Sequence, residues 1–509
     1  MDILIRKILT LRSTNALQCI FIQTINNQKR MNEDFSTGIP LPEDFIAQMT
    51  SLLGTNSAEC LQQALEEVPP TSIRLNPAYS QSETIDAQPI PWCSYGYYLT
   101  DRPTFTFDPL LHAGVYYVQE AASMFIEQAY LACENTGPRR VLDLCAATGG
   151  KSTLWRSLLP KGVLLVANEP LIQRAHILAE NMQKWGHPDV VVTNAYPEEF
   201  TSLRGFFDIV AADVPCSGEG MFRKDPNSRM EWSISAVDTC AMRQRQIITD
   251  IWPTLREGGF LIYSTCTYNL QENEENVKYI CQELGARLIP IPHPDSWGIS
   301  GSTNGNDEPV YHFFPHKSKG EGFFLALLQK TEAAPPFKEK KKRNSKKAQA
   351  VSGAGKAAAW LQNGDEFKIC STDNDELYAC RHTLADDIER IANTVRTLSI
   401  GIPLATIKGG KLVPQHALAL SNELATHAFP KAELGYDEAI AYLRRDALRL
   451  ESSVPRGYIL ACYQGIPLGF LNNLGNRANN MYPAEWRIRT THTPERPQVI
   501  KISDSIENK

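Results

Sequence analysis

A helical pattern of apolar positions runs through Asp44–Leu53 and again through Ala58–Glu67. Thr71-Ser-Ile-Arg-Leu-Asn-Pro77 then reads as a strand closing in a turn. From about residue 109 to 330 the pattern changes. Short apolar runs at Arg140–Cys145, Val163–Ala167, Val190–Thr193, Phe207–Ala211, Phe260–Ser264 and Phe323–Leu328 alternate with helical stretches. Strands joined by such crossovers predict an α/β fold: a parallel sheet with helices on both faces. Ligands of such sheets bind at the carboxyl ends of the strands. The residues that follow each run are therefore the ones to read for chemistry.

Outside this region the chain divides by composition. Residues 1–30 carry Arg6, Lys7, Arg12, Lys29 and Arg30 against one acid, Asp2. They lack a clean amphipathic period, and patterned sequence opens at Met31, so they read as a disordered extension or an over-called start rather than a targeting segment. Residues 31–108 are expected to form a small lead-in domain that binds RNA. Residues 331–358 read as a linker with Lys338, Lys340, Lys341, Lys342, Arg343, Lys346 and Lys347 against Glu339, either a solvated tether or an arm that contacts phosphates, or both. Residues 359–509 read as a separate module. Its β runs at Gly457–Tyr463 and Gln464–Phe470 suggest a small β-rich barrel, with Arg477, Arg487 and Arg489 nearby.

Composition narrows the function classes. At 509 residues, 43% hydrophobic and 21% charged, the chain is too long for one ordinary domain and too apolar to be mostly disordered. No apolar stretch reaches the ~18 residues of a membrane span, so no membrane is expected as a partner. Twelve cysteines include no CxxC pair, which argues against zinc and iron–sulfur sites; no metal is expected. Scattered thiols suit a reducing cytosol, and a cytoplasmic monomer is expected. The net charge of −6 divides into −11 over residues 1–330 and +5 over residues 331–509. Affinity for a polyanion should therefore come largely from the second half.

Arg140-Val-Leu-Asp-Leu-Cys-Ala-Ala-Thr-Gly-Gly-Lys-Ser152 is a strand, a tight glycine loop and a helix start. It lacks the glycine spacing of a phosphate loop and the GxGxxG order of a dinucleotide site. Gly149 and Gly150 let the backbone approach a small nucleoside closely. The second strand ends at Glu169, 26 residues after Asp143 and placed to grip ribose hydroxyls. Asn194 ends the third and could read an adenine edge; Asp213 ends the fourth. A strand-end acid is commonly just a cap. Four such ends in order describe a nucleoside site without a pyrophosphate, and S-adenosylmethionine fits it best.

Two cysteines fall at neighbouring strand ends. Ala212-Asp-Val-Pro-Cys-Ser-Gly-Glu-Gly220 follows strand four and Tyr263-Ser-Thr-Cys-Thr-Tyr-Asn269 follows strand five. A lone cysteine is usually a small buried hydrophobe, the reading that suits Cys60, Cys133, Cys240, Cys281 and Cys462. Cys216 and Cys266 sit instead in polar turns. A thiolate that adds to C6 of cytosine makes C5 nucleophilic, a protonated N3 eases the addition, and the C5 proton and the thiolate must then leave.

Asp213-Val-Pro-Cys216, Ser264-Thr-Cys-Thr267 and Asp143–Lys151 resemble the signature motifs of the Sun/Fmu family of RNA (cytosine-5) methyltransferases. Met221-Phe-Arg-Lys-Asp225 and the β-rich tail are similar to the bacterial branch that acts on 16S ribosomal RNA. The resemblance implies a Rossmann-like, S-adenosylmethionine-dependent methyltransferase sheet over residues 109–330, with a PUA-like RNA-binding module at the C-terminal end. It implies that Cys266 is the nucleophile, that Cys216 assists product release and that Asp213 holds the cytosine at N3. It places Cys145, Ala146, Ala147, Thr148, Gly149, Gly150, Lys151, Glu169, Asn194 and Asp213 at the donor site, with Gln119-Glu-Ala-Ala-Ser123 packed beside it. Two positions depart from the family: Thr148 stands where proline is usual, and Asn194 where aspartate is frequent. Structured RNA, small-subunit ribosomal RNA first, is the expected partner. Transfer RNA is the alternative substrate, and a non-catalytic ribosome-assembly protein the alternative class.

Overall fold

A computed structural model describes residues 38–79, 87–332, 353–372 and 374–500; residues 1–30 and the Lys338–Lys347 run lie outside them. Helices Glu43–Leu53 and Thr55–Leu65 meet at Gly54, whose φ of 78° suits a residue without a Cβ. They bury Phe45, Met49, Leu61 and Leu65 against Phe222, Trp232, Tyr268 and Phe314. Phe222 and Tyr268 closely follow the two motif cysteines, so the lead-in helices form one wall of the edge that carries them. A small antiparallel sheet comes next, in the order β2-β3-β1-β4. Its strands are β1 (Thr71–Leu75), β2 (Gln88–Pro89), β3 (Gly96–Leu99) and β4 (Tyr116–Val118).

The alternating region folds as a Rossmann-like, mostly parallel sheet. Strands β5 (Arg140–Asp143), β6 (Leu164–Asn168), β7 (Val190–Thr193), β8 (Phe207–Asp213) and β9 (Leu255–Thr265) pair in parallel. β10 (Ala286–Leu288) and β11 (Val310–Phe313) pair antiparallel with β12 (Phe323–Lys330), which lies antiparallel on β9. The apolar runs became buried strands because helices cover both faces: all of Val190–Thr193 is buried. β9 starts five residues before the expected Phe260, since Leu255–Gly259 extend the strand through Gly258, at φ 70°.

Within residues 359–509, read above as a separate module, the described part up to residue 500 is not folded apart from this sheet. β13 (Phe367–Ser371), β14 (Glu376–Arg381), β16 (Ile402–Lys408) and β17 (Lys411–Pro414) make a third sheet. Between β14 and β16 the chain leaves it, and β15 (Thr397–Ile400) pairs antiparallel with β7. An edge that would otherwise present unpaired backbone groups is thereby covered. β18 (Lys431–Glu433), β19 (Gly457–Tyr463), β20 (Ile466–Asn473) and β21 (Ala478–Asn480) form the fourth sheet. Its core is shared with the lead-in domain: Ile73, Phe107 and Tyr116 pack with Leu434, Tyr442 and Leu468.

One guanidinium joins the third sheet to the Rossmann-like sheet. Arg381 Nε lies 2.9 Å from Asp189, Nη1 lies 2.6 Å from Glu366, and Nη2 bonds Glu423. The Asp189 side chain is fully buried. Arg381→Met keeps the length of the stem and leaves that carboxylate without its cation. Removing one partner of a buried pair costs about 3 kcal/mol. A lowered urea midpoint in the full-length variant is the expected outcome; an unchanged midpoint would show that the cluster is not what holds this interface.

Candidate active site

The loop after β5 is closed by its own backbone. Gly149 N–H donates to Ala146 O at 2.8 Å, and Ala146 N–H donates to Asn168 O at 2.9 Å on the next strand. Gly149 has φ 116°, and a Cβ at Gly150 would meet the Tyr117 ring at 3.3 Å. Ser152 Oγ donates to Asp143 Oδ2 at 2.6 Å and ties the helix start to the strand end. Burial pushes Asp143 up to about 7 against that bond. The Ala147–Thr148 peptide is cis. At the position where the family usually has proline, Thr148 Oγ1 meets Tyr117 Oη at 3.1 Å and Thr148 O accepts from Asn181 Nδ2 at 2.7 Å. Arg174 Nη2 donates to Ala147 O at 3.0 Å. Three side chains thus strap a loop that a ring would otherwise stiffen. Nothing in the sequence around Tyr117, Arg174 and Asn181 marks them out; only the loop motif they serve is visible there.

A cleft of about 250 Å³ opens beside this loop, lined by Tyr117, Gln119, Ser123, Cys145–Thr148, Gly150, Lys151 and Asp213. Burial, and then the Asp213 carboxylate, hold the Cys145 thiol well above its ordinary value, so it lines the cleft as a neutral group. Glu169 is 2% exposed. One of its oxygens caps Leu171 N–H at 3.0 Å, and the other lies 3.7 Å from Arg174. The strand-tip acid is therefore also a turn cap, the commoner role of an acid in that place. Asn194 donates both amide hydrogens to backbone carbonyls, Glu169 O at 2.9 Å and Pro170 O at 2.8 Å. Its donors are spent, and what it can offer an adenine amine is its carbonyl oxygen, the same acceptor that an aspartate would present. The cleft thus brings together the loop backbone of Cys145–Thr148, Gly150, Lys151 and Asp213, whereas Gly149, Glu169 and Asn194 are not among the residues that line it.

The thiol-bearing end is built by strand register. β8 and β9 are parallel, with Asp213 opposite Ser264. The chain turns after each, and the Cys216 and Cys266 sulfurs stand 3.1 Å apart. Gly220 N–H donates to Cys266 O at 2.7 Å, and a Cβ there would strike that oxygen at 2.8 Å. The contact between the sulfurs, with burial, raises the Cys216 thiol well above its ordinary value. Asp213 accepts from Ser264 Oγ at 2.9 Å and from Lys151 Nζ at 2.8 Å. Burial works against the Lys151 ammonium, but Asp213 outweighs it and the net shift is upward. Lys151 thus serves the Asp213 carboxylate as well as the glycine loop. Ser264 joins them, a partner that the motif around it did not announce.

Other cysteines differ from the buried hydrophobes expected. Cys133 and Cys462 are buried, whereas Cys60 is exposed and Cys240 and Cys281 are half-buried. Cys60 lies on the outer face of its helix, and burial pushes Cys240 up to about 11. Among the described residues no group of three or more His, Cys, Asp and Glu is placed to hold a metal, and no helix is long and apolar enough to cross a membrane.

Comparison with known proteins identifies the family. The family described as 16S rRNA methyltransferase RsmB/F matches residues 129–329. The N-terminal domain of 16S rRNA methyltransferase RsmF matches residues 41–121, and the methyltransferase RsmF PUA domain matches residues 429–488. The chain is 31% identical over 413 residues to the ribosomal RNA small subunit methyltransferase F of Erwinia tasmaniensis, covering 78% of this chain and 84% of that one. It is 30% identical over 471 residues to the protein of that name from Enterobacter sp. strain 638, covering 87% and 95%. The crystal structure of PH0851 shares the fold at a TM-score of 0.50 and 23% identity, over 57% of this chain and 66% of that one. With its catalytic sheet, its lead-in domain and its C-terminal sheet each matched in order, the chain belongs to the RsmF family of 16S ribosomal RNA methyltransferases.

Proposed function

We propose that the chain methylates C5 of a cytosine in small-subunit ribosomal RNA, through a covalent bond between Cys266 and C6. The observation that carries this reading is the meeting of two thiols 3.1 Å apart with Asp213 at the adjoining strand end, held by Lys151 and Ser264. S-adenosylmethionine supplies the methyl group when bound. Gly149, Gly150 and the backbone of Cys145–Thr148 would hold it, with Glu169 toward the ribose, Asn194 Oδ1 toward the adenine amine and Asp213 near the sulfonium end.

Each residue then has a step. The cytosine must leave its stack to reach the cleft. Cys266 Sγ bonds to C6, and the proton it gives up passes by way of solvent to N3 of the ring. The electron pair displaced into the ring is held by protonation at N3, beside the Lys151–Asp213 pair, and C5 becomes the nucleophile. After the methyl group is on C5, the C5 proton passes to solvent, the electron pair it leaves re-forms the C5–C6 double bond and expels Cys266 as its thiolate, and N3 gives up its added proton as the ring recovers its aromaticity. Cys216 is the group at hand for that release: its thiol keeps its proton at neutral pH and touches the sulfur that must be expelled. A non-catalytic assembly protein has no need of two apposed thiols beside a half-buried Lys–Asp pair. Transfer RNA shares all of this chemistry, and the choice of ribosomal RNA rests on the family.

Two variants separate the thiols. Cys266→Ala should abolish methyl transfer to RNA, with donor affinity by calorimetry unchanged. Cys216→Ala should accumulate a protein–RNA complex that survives denaturing electrophoresis. Turnover by Cys266→Ala together with an inert Cys216→Ala would reverse the two roles.

RNA docking is assigned to the basic second half. Arg477, Arg487 and Arg489 are exposed. Replacing all three with Gln in the full chain should flatten the salt dependence of RNA binding, by about 0.9 log units per log unit of salt for each duplex phosphate no longer neutralised. Donor affinity should not change. An unaltered slope would place the phosphate-binding surface elsewhere.

A further inference from the structure

The loops that carry the two cysteines are bound to each other by a pair of buried acids. Glu219, three residues after Cys216, reaches across to the Cys266 loop. Its Oε2 accepts from Tyr268 N–H at 2.7 Å and Asn269 N–H at 3.1 Å. Glu272, six residues after Cys266, reaches back to the Cys216 loop and accepts from Ser217 N–H at 3.0 Å. Asn269 Nδ2 joins the two, at 2.9 Å from Glu219 and 2.8 Å from Glu272. Both acids are completely buried. Gln244, on helix Ile234–Ile251, adds a third grip: its amide donates to Glu272 at 2.6 Å and to Pro215 O at 3.0 Å. Cys216 is therefore held on both flanks, at Pro215 by Gln244 and at Ser217 by Glu272.

Two carboxylates buried together are costly, and their arrangement here is more specific than packing requires. Trp232 Nε1 completes the Glu219 set at 3.1 Å. Burial still pushes Glu219 up to about 7 and raises Glu272. An apolar pair of the same size would fill the space without that cost, but it could not grip the backbone on either side of a neighbouring loop. We infer that Glu219 and Glu272, with Asn269 and Gln244, form a reciprocal clasp whose task is to position the two thiols, Glu272 governing the release step through Cys216 and Glu219 the attack step through the Cys266 loop. The inference deepens the proposed function and rests on its assignment of attack to Cys266 and release to Cys216.

The clasp makes a prediction that a general loosening of the fold does not. In Glu272→Gln one acceptor oxygen becomes a donor, yet Ser217, Gln244 and Asn269 are all donors to that group. The Cys216 loop should shift, turnover should fall by about tenfold or more, and protein–RNA adduct should accumulate as in Cys216→Ala. Gln244→Met, which removes the other grip on the loop, should retain adduct in the same direction and serves as the test if Glu272→Gln does not fold. Glu219→Gln should slow turnover without retaining adduct, because attack itself is impaired. Methyl transfer, adduct on denaturing gels and donor affinity are measured on the full-length variants with the natural RNA, beside Cys216→Ala. If Cys216→Ala traps adduct and neither Glu272→Gln nor Gln244→Met does, the clasp is structural only and the inference falls. Equal adduct from Glu219→Gln and Glu272→Gln would also overturn it, since the division between the loops would be lost. Absence of adduct from Cys216→Ala would instead remove the proposed roles of the two thiols.

Discussion

The parallel pairing of β8 with β9 is the constraint on which the rest depends. It sets Asp213 beside Ser264, so that cysteines 50 residues apart in sequence leave the sheet from adjacent strand ends. A slip of one residue would turn every side chain of one strand to the opposite face and separate acid, lysine and thiols together. The register is specified from both sides. Apolar residues of β8 and β9 face two different clusters: Ile209, Ala211 and Ile262 lie in one, and Val210, Ala212, Leu261 and Tyr263 in the other. Burial on both faces leaves no lower-cost register, and the polar turns beyond the strands inherit its precision.

Arginines fasten the remaining parts to that sheet. Arg74 of β1 is fully buried, and burial lowers it to about 10. It donates to Gln119 at 2.9 Å, to Ser157 at 3.1 Å and to Thr153 at 2.6 Å, so the lead-in sheet grips the first turns of the helix that follows the glycine loop. Arg223 pairs with Glu321 at 3.0 Å and reaches Ala64 O at 3.3 Å, joining the Cys216 segment, the approach to β12 and the lead-in helices. Arg381 does the same for the third sheet. A planar guanidinium offers five donors in fixed directions and can satisfy several carbonyls or carboxylates at once. Such a group tolerates burial where one lysine ammonium would leave acceptors unmatched. This is how the four sheets of the described residues stay in one arrangement around the cleft.

The sequence was legible where one residue type does one job. Apolar runs marked the strands of the catalytic sheet because full burial leaves no alternative composition. Cys216 and Cys266 stood out because polar turns are unusual settings for buried thiols. Residues with two roles were legible only by halves. Lys151 looked like a loop residue, and only the fold brings its ammonium to Asp213, 62 positions away. Glu169 looked like a ribose ligand, and the fold shows it capping the turn at Leu171. β15 was missed because all four residues of Thr397–Ile400 are only half-buried, a pattern without a strong period, and its pairing with β7 is a matter of tertiary structure. Glu219 and Glu272 carried no signal beyond lying three and six residues past a motif cysteine, for an acid in a polar turn is ordinarily solvated.

The loop at Thr148 shows how one function can rest on different chemistry. Proline stiffens a loop from within by fixing its own φ. Here the same stretch is held from outside, by Tyr117 from β4 and by Arg174 and Asn181 from helix Ile172–Trp185. Arg174 and Asn181 lie on one side of that helix, two turns apart, and reach two successive carbonyls of the loop. External strapping has a consequence that an internal ring lacks: the loop's order now depends on the lead-in sheet being docked. Since β4 also supplies Tyr117 to the wall of the cleft, the small N-terminal sheet helps to build that cleft as well as to order the loop beside it.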